Sequence, residues 1–302
     1  PLSIILTKAR LTPPTDEELE TRLKEIPIQK GLKSDIDLSM FFEKKTFQEI
    51  LSLRQYFIDR RANKKNDHID DWIQMVATNR LTGHSSGFFS VYTFPPNQAV
   101  SAKSQIRINE KRQQIPEYRD TKKIILKKSK GLLRNLTQEQ RENLNKAAKT
   151  AKFLNTPSDK TETIKDNSVQ LIVTSPPFLD IVQYVEDNWM RCWFNNLDAE
   201  EISSQISIPK DLTKWNEIMS DVLAELFRVT KSGGIVAFEV GEIRKGSIKL
   251  DEEIVPLGES HGFTTEFVMI NTQEFTKTSN IWGVKNNDSG TNTNRIVVFK
   301  KP

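Results

Sequence analysis

The chain has 302 residues, of which 36% are hydrophobic and 28% charged, enough to build one large or two smaller folded domains. Its 44 Lys and Arg and its 40 Asp and Glu leave a net charge of only +4, and its one cysteine, Cys192, excludes a disulfide scaffold and a cysteine-rich zinc site. The 12 glycines include no pair spaced as Gly-x-Gly, which excludes a glycine-rich nucleotide loop within the chain. No apolar run approaches the length of a membrane span, so we expect a cytoplasmic protein without a membrane partner.

The first half of the chain is predicted to be mainly helical. Residues 2–10 are apolar and are interpreted as the end of a strand-to-helix unit, and residues 12–35 as a loop with one short helix. Apolar residues at helical spacing predict further helices over 39–63, 67–81, 101–114, 121–134 and 137–152. An aromatic and β-branched segment, 88–94, interrupts them and ends at Pro95-Pro96.

Positive charge is concentrated in the last part of this helical region. Residues 102–153 contain 15 Lys and Arg against 5 Asp and Glu, a local net charge of +10, so the rest of the chain sums to −6. Lys123, Lys127, Lys130 and Arg134 recur at helical spacing and define one face of a predicted helix. Such a face is either simply solvated or contacts a polyanion.

The second half has the pattern of an α/β domain. Strands are predicted over 169–174, 235–240, 263–271 and 295–300, and helices over 181–197, 212–229 and 251–261. Gly233 is predicted to end the second of these helices in a left-handed conformation. This order is typical of the second half of a doubly wound sheet with an antiparallel hairpin at one end.

The most informative motif is Thr174-Ser175-Pro176-Pro177-Phe178, which follows the first predicted strand directly. Ligands of open α/β sheets bind beyond the carboxyl ends of the strands, so this segment is expected at the active site. Two consecutive prolines stiffen a loop. A stiff loop can hold a polar acceptor and an aromatic ring at a fixed separation, which suits recognition of a flat base.

This motif resembles motif IV of the DNA amino-methyltransferases, which use S-adenosylmethionine (AdoMet) to methylate exocyclic amines of flipped-out bases. Ser before Pro-Pro is similar to the form usual in cytosine-N4 enzymes, whereas Asp or Asn is usual in adenine-N6 enzymes. The segments 227–234, 279–283 and 290–295 also resemble the family, as do 81–84 and 88–90. The resemblance implies an α/β fold of the AdoMet-dependent methyltransferase type, Rossmann-like and doubly wound, partial at the N-terminus and carrying a mainly helical insertion.

The resemblance also implies roles for individual residues. The catalytic set is Ser175, Pro176, Pro177 and Phe178: Ser175 Oγ and the Pro176 carbonyl accept hydrogen bonds from the target amine, and Phe178 stacks on the base. Asp159 and Thr174 are the expected AdoMet contacts, although Asp159 is equally well explained as a loop residue. The predicted contacts to double-stranded DNA are Lys123, Lys127, Lys130, Arg134, Asn292, Asn294 and Arg295. No metal is needed.

Residues near the motif have alternative interpretations. Tyr184, Asn188 and Trp189 either line the base pocket or pack in the core. Cys192 lies among aromatic residues and is interpreted as a core residue rather than a nucleophile. His84 is interpreted as structural, with a DNA-facing loop as the alternative.

The chain departs from the family in lacking its Gly-rich AdoMet loop. We therefore expect a truncated product, a piece of a split enzyme or a decayed copy, with a second chain or a missing N-terminal segment supplying that loop. Residues 1–12 are predicted to be a remnant of the cofactor half, 13–152 a basic insertion that recognises the DNA target, and 153–302 the catalytic half.

Three functions are consistent with the sequence. The first is a site-specific cytosine-N4 DNA methyltransferase, the modification enzyme of a restriction–modification system in a prokaryotic cytoplasm. The second is an adenine-N6 DNA methyltransferase, and the third is a non-catalytic DNA-binding remnant or subunit.

Overall fold

The computed structural model describes residues 1–94, 98–177, 179, 183–206, 209, 211–243, 247–272 and 293–302. The chain forms two compact units, the first made of Pro1–Leu154 with Tyr184–Ser203 and the second of Asn155–Gln183 with Ser204–Pro302. The α/β fold class is confirmed, with a mainly helical first unit and a sheet with helices in the second. The segments 1–12 and 13–152 lie in one unit, and their roles in cofactor and target binding stay predictions.

The first unit is a helical assembly. Its helices are α1 Leu2–Lys8, α2 Asp16–Glu25, α3 Lys44–Ala62, α4 His68–Thr78, α5 Ala102–Arg112, α6 Thr121–Leu133, α7 Gln138–Thr150 and α8 Tyr184–Phe194, and α9 Ala199–Ser204 ends at the boundary between the units. Thr15 and Glu18 form a reciprocal capping box that starts α2. No helix in the described part of the chain is long and apolar enough to cross a bilayer.

One sequence interpretation in this unit is corrected. Residues 2–10 are helical throughout and do not end a strand, because Leu2, Leu6 and Ala9 form an apolar stripe at helical spacing that the first unit buries or half-buries. The aromatic segment 88–94 forms no strand within the described residues. Its one β-bridge joins Tyr92 to Gly83, and Phe88 and Phe89 are buried.

A buried ionic network holds three elements of the first unit together. Asp70 on α4 is 1% exposed and accepts hydrogen bonds from Arg22 on α2 and from Tyr56 and Arg60 on α3. Asp67, the N-cap of α4, pairs with the same two arginines. Burial raises the pKa of Asp67, but hydrogen bonds from Arg22 and from the backbone outweigh it and lower the pKa to about 2.

The second unit is built on a mixed sheet. Its elements are β1 Val169–Thr174, α10 Leu212–Val229, β2 Thr230–Ile243, β3 Ile248–Lys249, α11 Leu250–Ser260, β4 Thr264–Thr272 and β5 Thr293–Lys300. The strand order is β1-β2-β5-β4, with β1 parallel to β2, β5 antiparallel to both of its neighbours, and β3 paired with β2. The predicted terminal hairpin of β4 and β5 is therefore confirmed.

The start of β2 differs from the prediction. Helix α10 ends at Val229, and the chain extends at once because Thr230 already pairs with Val169 of β1. Gly233 has the expected positive φ of 75°, but it lies inside β2, where its N–H donates to the Lys301 carbonyl. The left-handed residue thus shapes a strand irregularity and does not cap a helix.

One face of the sheet is covered by helices. Val236, Phe238 and Val240 of β2, with Val297 and Phe299 of β5, are fully buried in a core with side chains of α10 and α11. Gly258 of α11 lies against Phe299 so closely that a Cβ there would come within 2.4 Å of the ring. The close helix–sheet contact on this face therefore requires glycine.

The opposite face of the sheet is mainly apolar, with Glu239 and Lys300 also on it, and several of its apolar side chains are exposed among the described residues. We call it the open face: Leu171, Val173, Ile235, Ala237, Phe267, Met269, Ile296 and Val298. Leu171 and Val173 are 59% and 74% exposed, and Phe267 and Met269 are each 52% exposed. Strand β1 pairs only with β2 among the described residues, so it is also an edge. Only the β1–β2 pair is parallel among the described strands, and parallel pairs are normally buried on both faces.

Candidate active site

The Ser-Pro-Pro segment lies at the carboxyl edge of the sheet. Thr174 is the last residue of β1 and pairs with Phe238 of the parallel strand β2, so both strands run toward the same edge. Ser175 follows directly and is exposed. This is the position expected for a ligand-binding loop of an open α/β sheet.

Two contacts fix the loop to the body of the second unit. The indole N–H of Trp215 on α10 donates a 3.2 Å hydrogen bond to the Pro177 carbonyl. Leu179 is fully buried in the same core as Trp215. The loop is therefore anchored after the two prolines, while Phe178, the predicted stacking residue, lies outside the described residues.

The anchoring leaves two acceptors available. Within the described part of the chain, neither Ser175 Oγ nor the Pro176 carbonyl has a hydrogen-bond partner, whereas the Pro177 carbonyl is occupied by Trp215. A hydroxyl and a carbonyl oxygen on adjacent residues can accept both N–H groups of one amine. The structure thus brings together two of the predicted catalytic groups.

The predicted cofactor contacts do not form a complete AdoMet site. Asp159 is half-buried in a turn closed by a hydrogen bond from the Lys160 N–H to the Pro157 carbonyl, and Thr174 is half-buried at the end of β1. Leu171 and Val173, on the open face of the same strand, are exposed and do not close a pocket. The described residues by themselves do not form a site for a whole nucleoside-containing cofactor.

An ionic cluster holds the segment that leads into β1. Glu225 on α10 accepts hydrogen bonds from the N–H and Oγ1 of Thr161 at 2.7 and 2.6 Å. Arg228 pairs with Glu225 and Asp166, and it donates to the carbonyls of Thr161 and Ile164. These bonds tie residues 161–166 to the end of α10.

This cluster predicts a pH dependence of stability. Hydrogen bonds from Arg228, and then from Thr161, lower the pKa of Glu225 from its ordinary 4.5 to about 2 despite its burial. A lowered pKa in the folded state stabilises the protein above pH 4.5, and this contribution is lost as the pH falls from 4.5 to 2. We expect Glu225→Gln to reduce the loss of unfolding free energy over that range, measured by urea denaturation. The control Glu217→Gln, at an exposed site on the same helix, should lose as much unfolding free energy over this range as the unmodified protein. An equal loss in all three proteins would show that Glu225 is not responsible for the pH dependence.

The predicted basic face of α6 is exposed as expected. Lys123, Lys127, Lys130 and Arg134 all face solvent, while Ile125, Ser129 and Leu133 on the other side of the helix are buried. Lys130 pairs with Glu20 at 2.6 Å and Lys123 with Asp120 at 3.5 Å. Lys127 and Arg134 have no ion pair within the described residues, so they carry the unneutralised charge of this face.

The predicted DNA contacts near the C-terminus lie in a different setting. Arg295 is 11% exposed and pairs with Asp251 at 3.0 Å and with Glu242 at 3.9 Å. Asn294 pairs in the sheet between Gly241 and Asn271, and Asn292 lies outside the described residues. A phosphate would have to compete with Asp251 for Arg295. Because Asp251 lies 44 residues before Arg295 in the chain, no local sequence pattern indicates this ion pair.

Helix α8, which follows the motif in sequence, belongs to the first unit. Trp189 donates a 2.8 Å hydrogen bond to the Ala99 carbonyl, and the Asn188 amide donates to the Tyr184 carbonyl one turn earlier. Cys192 is buried, and burial raises the pKa of its thiol and raises that of Tyr184 to about 12. A protonated, buried thiol agrees with the interpretation of Cys192 as a core residue.

Comparisons with known proteins give distant likenesses. No protein-family model matches the chain, and a search of curated proteins finds no match. Among solved structures, a candidate DNA modification methylase from Thermus thermophilus is 18% identical over 49% of this chain and 51% of its own, with a TM-score of 0.30. The same protein complexed with S-adenosyl-L-methionine has 18% identity over 49% and 54%, with a TM-score of 0.29.

A SAM-dependent methyltransferase from Methanosarcina mazei is 13% identical over 55% of this chain and 79% of its own, with a TM-score of 0.27. The chain spans about half the length of the Thermus thermophilus structures. The function proposed for this chain rests on its own residues.

Proposed function

We propose that this chain is the base-binding part of an AdoMet-dependent DNA methyltransferase that modifies the N4 amine of cytosine, as the modification enzyme of a restriction–modification system. The observation that carries the proposal is the pair of unoccupied acceptors, Ser175 Oγ and the Pro176 carbonyl, on a loop anchored at the carboxyl edge of the sheet. Ser in the first position of this loop favours cytosine over adenine through the resemblance of the motif.

The two acceptors would make the target amine, which is a weak nucleophile, more reactive. The lone pair of an exocyclic amine is delocalised into the ring. When its two N–H groups donate to Ser175 Oγ and to the Pro176 carbonyl, the nitrogen becomes more tetrahedral and its lone pair is freed for attack. Because the hydrogen bond from Trp215 anchors the loop, the geometry is set before the base arrives.

Double-stranded DNA is the proposed partner of the basic face of α6. Lys127 and Arg134 are exposed cations without an ion pair in the described part of the chain, within a segment of net charge +10. The logarithm of DNA affinity falls linearly with the logarithm of salt concentration. Replacing both residues with alanine should make this slope less steep by about two, roughly one for each lost phosphate contact. Replacing Lys160 and Lys214, two exposed lysines of the second unit, provides the control with the same loss of charge. Equal slopes for the two double variants would show that the face of α6 does not contact phosphate.

The open face supports a second partner. A polypeptide segment outside residues 1–302 is proposed to extend the sheet at β1, to cover the open face and to supply the Gly-rich AdoMet loop. Side chains such as Leu171, Val173, Phe267 and Met269 are already partly buried, so burial of the rest stabilises a complex by about 1–2 kcal/mol each. AdoMet would then be held jointly, in agreement with the incomplete set of contacts in this chain.

The function is tested by methyl transfer from labelled AdoMet to DNA, followed by mass spectrometry of the nucleosides. With the chain combined with the segment that supplies the Gly-rich loop, we expect N4-methylcytosine, and a loss of about 100-fold or more with Ser175→Ala, because one of two acceptors is removed. DNA affinity should be unchanged, since Ser175 is outside the basic face. Unchanged transfer by Ser175→Ala would contradict its role, and N6-methyladenine as the only product would establish the adenine alternative.

A non-catalytic DNA-binding subunit is the second candidate, favoured by the open face and by the absence of a Gly-x-Gly pair. Calorimetric titration with AdoMet, using the chain combined with the segment that supplies the Gly-rich loop, separates the two. Detectable binding together with methyl transfer supports the enzyme, and neither supports the subunit.

A further inference from the structure

The first unit contains a polar cavity of about 560 Å³ that the proposed methyl transfer does not use. Its walls are the turn that carries His84, Ser85 and Ser86 and the segment from Arg112 to Arg119, with Val91 and Tyr92 between them. Its volume lies within the usual range for small-ligand sites.

One wall presents a flat cationic platform. The guanidinium of Arg112 lies 3.7 Å from the centre of the Tyr92 ring. The carbonyl of Tyr92 accepts hydrogen bonds from Gln105 and Gln114 at 3.0 and 2.9 Å, which fix the backbone beneath the ring. Arg112 is exposed and has no ion pair within the described ranges. A guanidinium plane backed by an aromatic ring is a surface on which nucleic acid bases stack.

A second arginine in the wall has an unused donor. Arg119 is held by its backbone, because its N–H donates to Thr46 Oγ1 at 2.6 Å and its carbonyl accepts from the same hydroxyl at 3.0 Å. Its Nη2 lies 3.8 Å from a carboxylate oxygen of the exposed Glu117. Its Nε is buried and has no acceptor in the described part of the chain. Buried donors of this kind are nearly always paired. Because Nε itself is inaccessible, a ligand in the cavity would pair with it only after the guanidinium, on a side chain that is 25% exposed, turns toward the cavity.

We propose that this cavity binds a nucleotide, with the phosphate on Arg119 and the base on the Arg112–Tyr92 platform. The hydroxyls of Ser85 and Ser86 line the same cavity and offer further polar contacts. A carboxylate or an inorganic phosphate would use Arg119 alone, whereas a nucleotide uses both arginines. The site belongs to the first unit, requires no AdoMet and does not depend on the proposed methyl transfer.

The test measures nucleotide binding directly, using the full chain. A fluorescein-labelled single-stranded deoxyhexanucleotide is titrated by fluorescence anisotropy, with dAMP and inorganic phosphate as competitors. Arg119→Gln should weaken oligonucleotide binding about tenfold or more through the loss of a charge-assisted hydrogen bond. Arg112→Ala should weaken it about fivefold or more through the loss of stacking. The control Arg107→Ala removes the same charge from an exposed site on α5 outside the cavity. It should change the affinity for the oligonucleotide less than twofold, because solvent and salt screen a single surface charge.

The competitors identify the source of the nucleotide. Displacement by dAMP supports a site for free nucleotides, and binding of the oligonucleotide alone, still dependent on both arginines, supports a nucleotide within a strand. The proposal is overturned if nothing binds, if both variants behave like Arg107→Ala, or if inorganic phosphate displaces the oligonucleotide at the same concentrations as dAMP does. Thermal unfolding of each variant, expected to match the unmodified protein, separates loss of the site from loss of the fold.

Discussion

Replacing Asp70 with alanine should lower the free energy of unfolding by about 3–5 kcal/mol. The Asp70 carboxylate is buried and accepts hydrogen bonds from Arg22, from Tyr56 at 2.9 Å and from Arg60 at 2.7 Å. Its removal leaves Arg22 and Arg60 sharing only the more exposed Asp67, and it leaves the Tyr56 hydroxyl without its acceptor. Part of the buried positive charge is then uncompensated, which costs more than the pair itself contributes. Urea denaturation followed by circular dichroism measures the change.

The adjacent residue provides a matched control. Asp71 carries the same side chain on the same turn of α4, but it is paired with Lys8 at 3.1 Å, and the Lys8 side chain is 52% exposed. Asp71→Ala should cost less than about 1 kcal/mol, because solvent screens such pairs. Similar losses for the two variants would show that the buried network does not hold α2, α3 and α4 together.

Replacing Trp215 with alanine should destabilise the second unit by about 3–5 kcal/mol, since it empties a large site in a well-packed core. Trp215 is 1% exposed, and it lies among side chains of the sheet, α10 and α11. It also donates the hydrogen bond that anchors the Pro177 carbonyl. The stability of the second unit and the position of the proposed base-binding loop therefore depend on one side chain.

Trp215→Phe separates these two roles. Phenylalanine keeps most of the apolar volume but cannot donate a hydrogen bond to the Pro177 carbonyl. The free energy of unfolding should therefore fall by less than in Trp215→Ala. The lost hydrogen bond accounts for about 1 kcal/mol of that decrease. If the anchor positions Ser175 and Pro176, methyl transfer should fall in Trp215→Phe while DNA affinity is kept. A Trp215→Phe protein with full activity would show that the loop is held by Leu179 and the prolines alone.

Much of the secondary structure can be predicted from the sequence. The strand Val169–Thr174 and the helix Leu212–Val229 are found at the predicted residues, and the exposed basic face of α6 follows from its spacing. These features depend on side-chain periodicity and on turn residues within one element, which are local properties. The position of Ser175 at the edge of the sheet follows in the same way, because it comes directly after a strand.

Other features could not be predicted, because they depend on residues far apart in the chain. Helix α8 follows the motif in sequence but belongs to the first unit, where Asn195, just after it, bonds to Gln74 and Thr78 across more than 100 residues. Arg295 looks like a phosphate contact in the sequence, yet Asp251 neutralises it. No local pattern distinguishes a paired arginine from a free one.

The sequence by itself determined the order of the helices and strands, the place of the Ser-Pro-Pro segment and the concentration of positive charge, because each is set by neighbouring residues. Only the tertiary structure decided which polar groups are left without partners and which apolar face is left uncovered. Ser175, Arg119 and the open face stand out for this reason: pairing and burial are settled by contacts between distant parts of the chain, and the groups left over are those available to a ligand or a partner.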